Sequence, residues 1–356
     1  MGLLERVRGV ALDQKGFAYV DANGRITARM PADAFGGNGI VSEIEVLRGD
    51  LCRVLYEASL PGTEYLFDDT IVALEQDTSG VTVTFERASS RRFAFVIGAD
   101  GLHSTVRRLA FGPDSECVRE FDLYNAWFTA AADIDLDGWF LMYNAPGGLV
   151  ASARPDRRGD QIKAGLSFRS RPLPLERGDR EAQQEMLASR FAGAGWEVPR
   201  LLDAMRSAAD FYFEAAGQVH LDKWARGRVV LVGDAGYCPT PLSGLGTSLA
   251  LVGAYILVGE LVAAGADHEI AFRRYQEHMR AYVAQAQQLP PGGINGYAPM
   301  SQLAIRMRSA SMRWITRWPL RKLVEGQFTR ADAIDLPEYP LLSASPRRAA
   351  LAGVPS

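Results

Sequence analysis

Two glycine-rich segments carry the residues best placed for chemistry, and 134 positions separate their aspartates, Asp100 and Asp234. The second segment reads Gly233-Asp234-Ala235-Gly236-Tyr237-Cys238-Pro239-Thr240-Pro241-Leu242-Ser243-Gly244-Leu245-Gly246. It follows the wholly apolar run Val229-Val230-Leu231-Val232 and precedes a long apolar helical pattern. A carboxylate at such a strand end accepts two hydrogen bonds from vicinal hydroxyls, such as those of ribose or ribitol. Gly244 and Gly246 leave backbone N–H groups bare where the helix begins, with the positive end of its dipole behind them. That arrangement suits a group that becomes negative during a reaction. Pro239 and Pro241 stiffen the loop and lower the entropy cost of ordering it.

The first segment is Val96-Ile97-Gly98-Ala99-Asp100-Gly101-Leu102-His103-Ser104-Thr105-Val106-Arg107. A strand delivers the chain to a tight turn, where Gly98 and Gly101 allow backbone conformations that a Cβ obstructs. Asp100 projects from the strand end, where open parallel sheets bind ligands, and Ser104 is placed to cap the next helix. Taken alone, this strand–turn–helix also reads as a structural turn. Gly244-x-Gly246 is no dinucleotide fingerprint of the usual kind, because eleven positions separate Gly233 from Gly244 and such glycines follow their strand directly. Other chemistries lack support. His103, His220, His268 and His278 are scattered and form no HExxH zinc helix, and Ser243 stands in no GxSxG elbow.

The elements that must position these segments follow from patterning. Residues 16–30 predict a hairpin around Asp21-Ala22-Asn23-Gly24, and residues 42–60 a helix with Ile44, Leu47, Leu51, Val54 and Leu55 on one face. Short strands are expected at 70–74 and 81–86, and a further strand in which Phe93, Phe95 and Ile97 alternate. Residues 118–225 are strand-rich and aromatic, with a helix near 181–191. Their aromatics, among them Tyr124, Trp127, Phe128, Tyr143, Phe168 and Tyr212, suit a substrate pocket or a packed core equally well. The run Val229–Val232 predicts a strand buried on both faces. Two long helices follow at 247–264 and 267–288, with Asp267 capping the second.

Composition bounds the rest. At ~150 residues per domain the chain makes about two domains, and with 47% apolar and 23% charged residues it is a folded one. Lysine and arginine (39) nearly balance aspartate and glutamate (42), which excludes nucleic acid and an anionic membrane as obvious partners. Three cysteines make no disulfide framework and no CxxC zinc site. Residues 247–266 are the one membrane-span candidate, and Glu260 with three glycines inside it favours a buried core helix. A soluble cytoplasmic protein is expected. The basic stretch 306–322 (Arg306, Arg308, Arg313, Arg317, Arg321 and Lys322) could meet an anionic surface or partner, but with the charge offset elsewhere it reads as a solvated helix face.

Together the two glycine segments resemble the aspartate-glycine and glycine-aspartate fingerprints of single-component flavin monooxygenases of the para-hydroxybenzoate hydroxylase type. Arg48-Gly49-Asp50-Leu51 looks like the Arg-x-x-Leu element of that family. The resemblance implies an α/β fold: a Rossmann-like, glutathione-reductase-type parallel sheet that binds FAD, an inserted antiparallel sheet for substrate, and C-terminal helices. The expected division is 1–117 (partial FAD-binding domain), 118–225 (substrate domain), 226–290 (return to the FAD-binding domain) and 291–356 (helical region). It implies that Arg48 contacts FAD, that Asp234 holds the ribitol and nearby phosphate region, and that Pro241, Gly244, Leu245 and Gly246 face the flavin ring. Asp100 is then near the diphosphate and the path of transient NADPH. The implied reaction is hydroxylation of a small aromatic or polyketide-like substrate with molecular oxygen, through a flavin C4a-hydroperoxide. No side chain need act as a catalytic residue.

The sequence departs from the family at its start. The expected Gly-x-Gly-x-x-Gly segment is missing; Gly37-Asn38-Gly39 and Gly193-Ala194-Gly195 lack the third glycine, and residues 1–6 resemble the family's interior. The expectation is a sheet without its first βαβ unit, from a fragment, a misassigned start or a rebuilt fold. Gly236-Tyr237 also replaces the Ala-His of many relatives. Rival readings are a flavin-free remnant acting as a binding protein, and a reductase or halogenase on the same scaffold. The lack of a Trp-x-Trp-x-Ile-Pro element counts against the halogenase.

Overall fold

The computed structural model describes residues 2–34, 44–131, 133–157, 159–174, 178–265, 267–290, 292–315 and 334–339. A short helix α1 (Leu4–Arg8) precedes the hairpin of β1 (Gly16–Val20) and β2 (Ile26–Pro31). Asp21 closes its turn by accepting the Asn23 and Arg25 amides. Helix α2 (Arg48–Ser59) leads to β3 (Ile71–Gln76), β4 (Val81–Phe85) and β5 (Arg91–Phe93), a small antiparallel sheet. Then come β6 (Val96–Gly98), α3 (Thr105–Phe111) and α4 (Asp114–Cys117). Four long strands follow: β7 (Val118–Ala131), β8 (Trp139–Ala145), β9 (Leu149–Pro155) and β10 (Gln161–Arg169). Helices α5 (Arg180–Arg190) and α6 (Val198–Ser207) lead to β11 (Tyr212–Val219). The chain returns through β12 (Ala225–Arg226), β13 (Val229–Leu231), α7 (Asp234–Tyr237), α8 (Gly246–Ala263) and α9 (His268–Ala286). The last described helices are α10 (Gly293–Tyr297) and α11 (Gln302–Ile315).

The largest sheet has the order β11-β7-β10-β9-β8-β1-β2 and is antiparallel except where β1 runs parallel to β8. It therefore draws its strands from both sides of residue 117. Successive side chains of a strand point to opposite faces. On β7, Tyr124, Ala126 and Phe128 enter a core closed by Leu187 of α5 and Leu201 and Met205 of α6. The opposite face holds Phe17, Tyr19, Leu123 and Met142, covered by α10 and α11 through Ala298 and Met312.

A second sheet, β12-β13-β6, positions both glycine segments. Strand β13 runs parallel to β6, with Val229 opposite Val96 and Leu231 opposite Gly98. Val230 packs toward α8 and α9 while Val229 and Leu231 pack with Val81, Val83 and Val106, so β13 is covered on both faces as its apolar run predicts. A Cβ on Gly98 would lie 2.7 Å from Leu231 Cδ2 and 2.8 Å from Val106 Cγ1; glycine lets the strand, its neighbour and α3 close up.

Several expectations change. Residues 93–97 do not form one alternating strand, because the run breaks into β5 and β6, which join different sheets. Within β6 it is Val96 and Gly98 that are buried, and Ile97 is exposed. Helix α2 begins at Arg48 rather than 42; Val46 instead bridges Ala11, and only Val54 of the expected apolar face is buried. Residues 42 and 43 lie outside the described residues, as do Gly37, Asn38 and Gly39 and Arg317, Arg321 and Lys322 of the basic stretch. Arg308 is no solvated charge. It lies 3.7 Å from the centre of the Tyr19 ring and donates to the Tyr297 carbonyl and Asn144 Oδ1.

Helix α8 is long and apolar enough to cross a membrane by length and composition. Here it packs against α9, with Leu249, Ile256 and Leu257 buried beside Phe272, Tyr275 and Met279. Its one carboxylate, Glu260, accepts a hydrogen bond from Tyr339 at 2.7 Å and faces His278 at 3.3 Å.

Candidate functional site

At the end of β13 the chain turns through Gly233 at φ +63°, a left-handed conformation that favours glycine, and delivers Asp234 as the first residue of α7. Burial pushes the Asp234 carboxyl above the ordinary aspartate range, while the Arg48 guanidinium and the Cys238 thiol draw it back down. The Asp234 Oδ1 atom lies 3.7 Å from the position a Cβ on Gly246 would take. The structure thus brings Asp234 and Gly246 together at the mouth of α8, within reach of the Arg48 charge. No side chain caps α8. The first N–H groups of a helix have no partner within it, so this mouth presents donors and the positive end of the dipole.

The loop between Asp234 and α8 is held from outside. The Val219 amide donates to the Cys238 carbonyl at 3.1 Å, and Gln218 Nε2 donates to the Pro239 carbonyl at 3.0 Å. Gln218 is fixed in turn by the Gln287 carbonyl at 2.7 Å and by His220 at 3.1 Å. Thr240 takes φ +81°, a genuine outlier for a β-branched residue, and its buried Oγ1 has no hydrogen-bond partner. Such strain persists only where the surroundings enforce it. A one-turn 3-10 helix (Pro241–Ser243) ends at Gly244 in the left-handed region, and a Cβ there would meet nothing within 4 Å. Leu242 packs into the cluster of Phe121, Leu123 and Tyr297, which ties the loop to the second face of the large sheet.

Asp100 is engaged locally. Its Oδ2 accepts the Val106 amide at 3.0 Å and its Oδ1 accepts the Ser104 hydroxyl, while Ser104 Oγ caps α3 by accepting the Arg107 amide at 2.9 Å. The carboxylate therefore closes the N-terminus of α3. Sequence reasoning passed over Arg107, which joins the two fingerprints. Fully buried, it donates to the Ala235 carbonyl at 2.9 Å, the Leu102 carbonyl at 2.6 Å and Asp114 Oδ1 at 2.7 Å. Its position one turn into a helix capped by Ser104 was readable; its reach to Ala235 is tertiary. Tyr237 is structural: its hydroxyl bonds Tyr275, which donates to the Leu231 carbonyl, and burial pushes the phenol up to about 12.

These features fit a flavin. An orphaned buried hydroxyl, an uncapped helix mouth, open space above Gly244 and a half-buried carboxylate influenced by the Arg48 charge form a cradle for a polar, hydroxyl-bearing, ring-containing group. Among the described residues no cluster of histidine, cysteine, aspartate or glutamate could hold a metal ion. A cleft of about 500 Å³ lined by Lys223, Phe272, Arg273 and Gln276 contains none of the residues above and lies apart from this chemistry.

A mixed α/β fold with an anion-ready helix mouth beside a large, mostly antiparallel sheet defines a protein that binds a polar, ring-containing cofactor. Residues 1–289 match the family of FAD binding domains. The chain is 39% identical over 340 residues to a flavin-dependent monooxygenase of an unknown prokaryotic organism, covering 95% of this chain and 85% of that one. It is 44% identical over 303 residues to an uncharacterized protein of Mycobacterium tuberculosis, covering 85% and 81% of the two chains. The crystal structure of tetracycline destructase Tet(55) superposes with a TM-score of 0.76 at 34% identity, over 95% of this chain and 84% of that one. The chain belongs to the FAD-dependent monooxygenases, a family of flavoenzymes.

Proposed function

We propose that this chain is an NAD(P)H-consuming, FAD-dependent monooxygenase that hydroxylates a small aromatic or polyketide-like molecule. The observation that carries the reading is the half-buried Asp234 carboxylate at the uncapped mouth of α8, within the influence of the Arg48 charge. When bound, FAD reduced by NAD(P)H supplies the redox chemistry: one atom of O2 enters the substrate and the other leaves as water. The chain's own residues bind and orient. Asp234 accepts hydrogen bonds from the ribitol hydroxyls, Arg48 offsets nearby phosphate charge, and Asp100 shapes the turn near the diphosphate and the NADPH path by closing α3. Pro241, Gly244, Leu245 and Gly246 would face the ring; the Gly244 and Leu245 amides are held by the Pro241 carbonyl and Ser243 Oγ, so the donors that would meet negative charge on the ring are those of the first turn of α8. Leu242 supports placing substrate on the second face of the large sheet, to which β1 and β2 contribute alongside the strands of 118–225. The likeness to a tetracycline destructase supports a polyketide-like substrate. The cysteines Cys52, Cys117 and Cys238 are unpaired, which supports work in the cytoplasm.

The test is the visible spectrum of the purified chain with added FAD, followed by NADPH oxidation with and without oxygen. Bound flavin and oxygen consumption matched to NADPH oxidation are the expected results. NADPH oxidation that uses no oxygen would make it a reductase, and a protein that retains no flavin would make it a binding protein.

A further inference from the structure

We propose that Trp127 and Asn125, neighbours on one face of β7, are the specificity-determining residues of the substrate site: Trp127 stacks a planar ring and Asn125 donates to an oxygen that the ring carries. The proposal rests on reading the second face of the large sheet as the substrate side.

Register places the two residues in adjacent rows across the sheet. Asn125 stands opposite Ser167 on β10 and Glu214 on β11, and Trp127 stands opposite Gly165 and Tyr212. Both point away from Tyr124, Ala126 and Phe128, which fill the core under α5 and α6, and toward the face that Leu123 shares with Leu242 of the glycine loop. A Cβ at Gly165 would lie 2.5 Å from Trp127 Cζ3 and 2.6 Å from Ser152 Oγ. Glycine therefore makes the space in which the six-membered ring of the indole sits, and this fixes its orientation. The rest of the indole is not covered: Trp127 is 37% exposed, beside Tyr212 at 51%. Aromatic rings so presented prefer offset-stacked or edge-to-face partners.

The serine and asparagine side chains around it on this face are satisfied, with the exception of Asn125 itself; Arg308 Nε, behind Asn144 and Tyr297, is also without a partner. Ser167 bonds the Tyr297 hydroxyl at 3.0 Å, Asn144 donates to the Tyr297 carbonyl at 3.0 Å, and Ser152 donates to the Gly165 carbonyl at 3.4 Å. Asn125, only 3% exposed, has an amide nitrogen with no partner. A buried donor left unmet is costly, and a ligand acceptor removes that cost. Residues i and i+2 of a strand are ~6.8 Å apart, so a stacked ring and its oxygen belong to one small molecule. The class of substrate this selects is a planar, oxygen-bearing ring system, phenolic or carbonyl. A bare hydrocarbon leaves Asn125 unsatisfied, and a non-planar molecule forfeits the indole.

Calorimetric titration of the full chain with 2-naphthol and with naphthalene tests this. The wild type is expected to bind 2-naphthol more tightly than naphthalene. Asn125→Ala is expected to weaken 2-naphthol about five- to tenfold and to leave naphthalene unchanged. Trp127→Ala is expected to weaken both roughly tenfold, with Trp127→Phe recovering most of the loss. Gly165→Ala should reproduce the Trp127→Ala loss by displacing the indole. Wild-type binding of neither probe, or equal discrimination by wild type and Asn125→Ala, would overturn the proposal. Flavin retention and oxygen-linked NADPH oxidation by the wild type report on the proposed function separately, since the calorimetry reads binding whether or not either is seen.

Discussion

Asp234 has more accepting capacity than the chain supplies with donors: burial raises its carboxyl, and Arg48 and the Cys238 thiol are what oppose that rise. Hydroxyls of a bound ribitol would complete it. Hydrogen bonds to charged groups contribute about 1.5–3 kcal/mol each, so Asp234→Ala is expected to weaken FAD binding by about one to two orders of magnitude. Titration of flavin fluorescence against the two proteins measures this, and equal dissociation constants would remove Asp234 from the site. Arg107 works differently, as a brace. Its guanidinium joins α3 to Ala235 and Asp114 from a fully buried position. Removing it strands those acceptors and opens a cavity, so Arg107→Ala is expected to cost about 3 kcal/mol, read as a lowered urea midpoint. Arg107→Lys should recover little, because one ammonium cannot span a fork of three acceptors.

At the scale of elements, α8 shows how a helix that is apolar all round finds partners on several sides. A Cβ on Gly253 would lie 2.1 Å from the Tyr237 hydroxyl, and one on Gly259 would lie 2.2 Å from the Tyr339 ring. Overpacking of this kind costs typically ~1–3 kcal/mol. Gly253→Ala is therefore expected to destabilise the protein by that amount, and Tyr237→Phe to relieve much of it by removing the colliding oxygen. A double-mutant cycle on urea unfolding measures the coupling; additive effects would mean that the two do not touch. The hairpin, β13, α8 and α9 were legible in the sequence because each carries a local signal: turn residues at 21–24, an unbroken apolar run, a long apolar stretch after glycines, and the Asp267 cap, which accepts the Glu269 and Ile270 amides. The break at Ala94 and Phe95 was not legible, since each side of it is a three-residue strand serving a different sheet. Helix α6 was passed over although Pro199 in its first turn and the spacing of Val198, Leu201 and Met205 signal it. The pairing of β1 with β8 spans more than a hundred residues and leaves no trace in periodicity. The same holds for the site: Asp234 and the glycines announce themselves by type and spacing, whereas the seat of Trp127 over Gly165 and the reach of Arg107 exist only once strands and helices are assembled.

For the molecule as a whole, the strained loop is joined to everything that stabilises the fold. Gln218 fastens it to β11 and to the end of α9, and Leu242 sets it into the packed face of the large sheet. A titrating group half-buried at that junction therefore reports on global stability. The Asp234 carboxyl is raised in the folded state from the ordinary value of 3.8. Between that value and its folded pKa, the folded chain holds a proton that the unfolded chain has lost. Stability contributed by that proton is present at low pH, declines as pH rises through the window, and is gone above it. Asp234→Asn keeps the shape and removes the titration. Without FAD, the Asn variant is expected to melt higher than the wild type at pH 7, with the gap closing as the pH is lowered toward 4. Added FAD should shrink or reverse the gap at pH 7, because a ligand that binds only the folded state stabilises it in proportion to its affinity, and the wild type binds more tightly. Melting curves of the two proteins from pH 4 to pH 8, with and without FAD, measure both effects. Curves that stay parallel across the range would mean that the carboxylate is solvated in the folded chain and is no latent anchor for the cofactor.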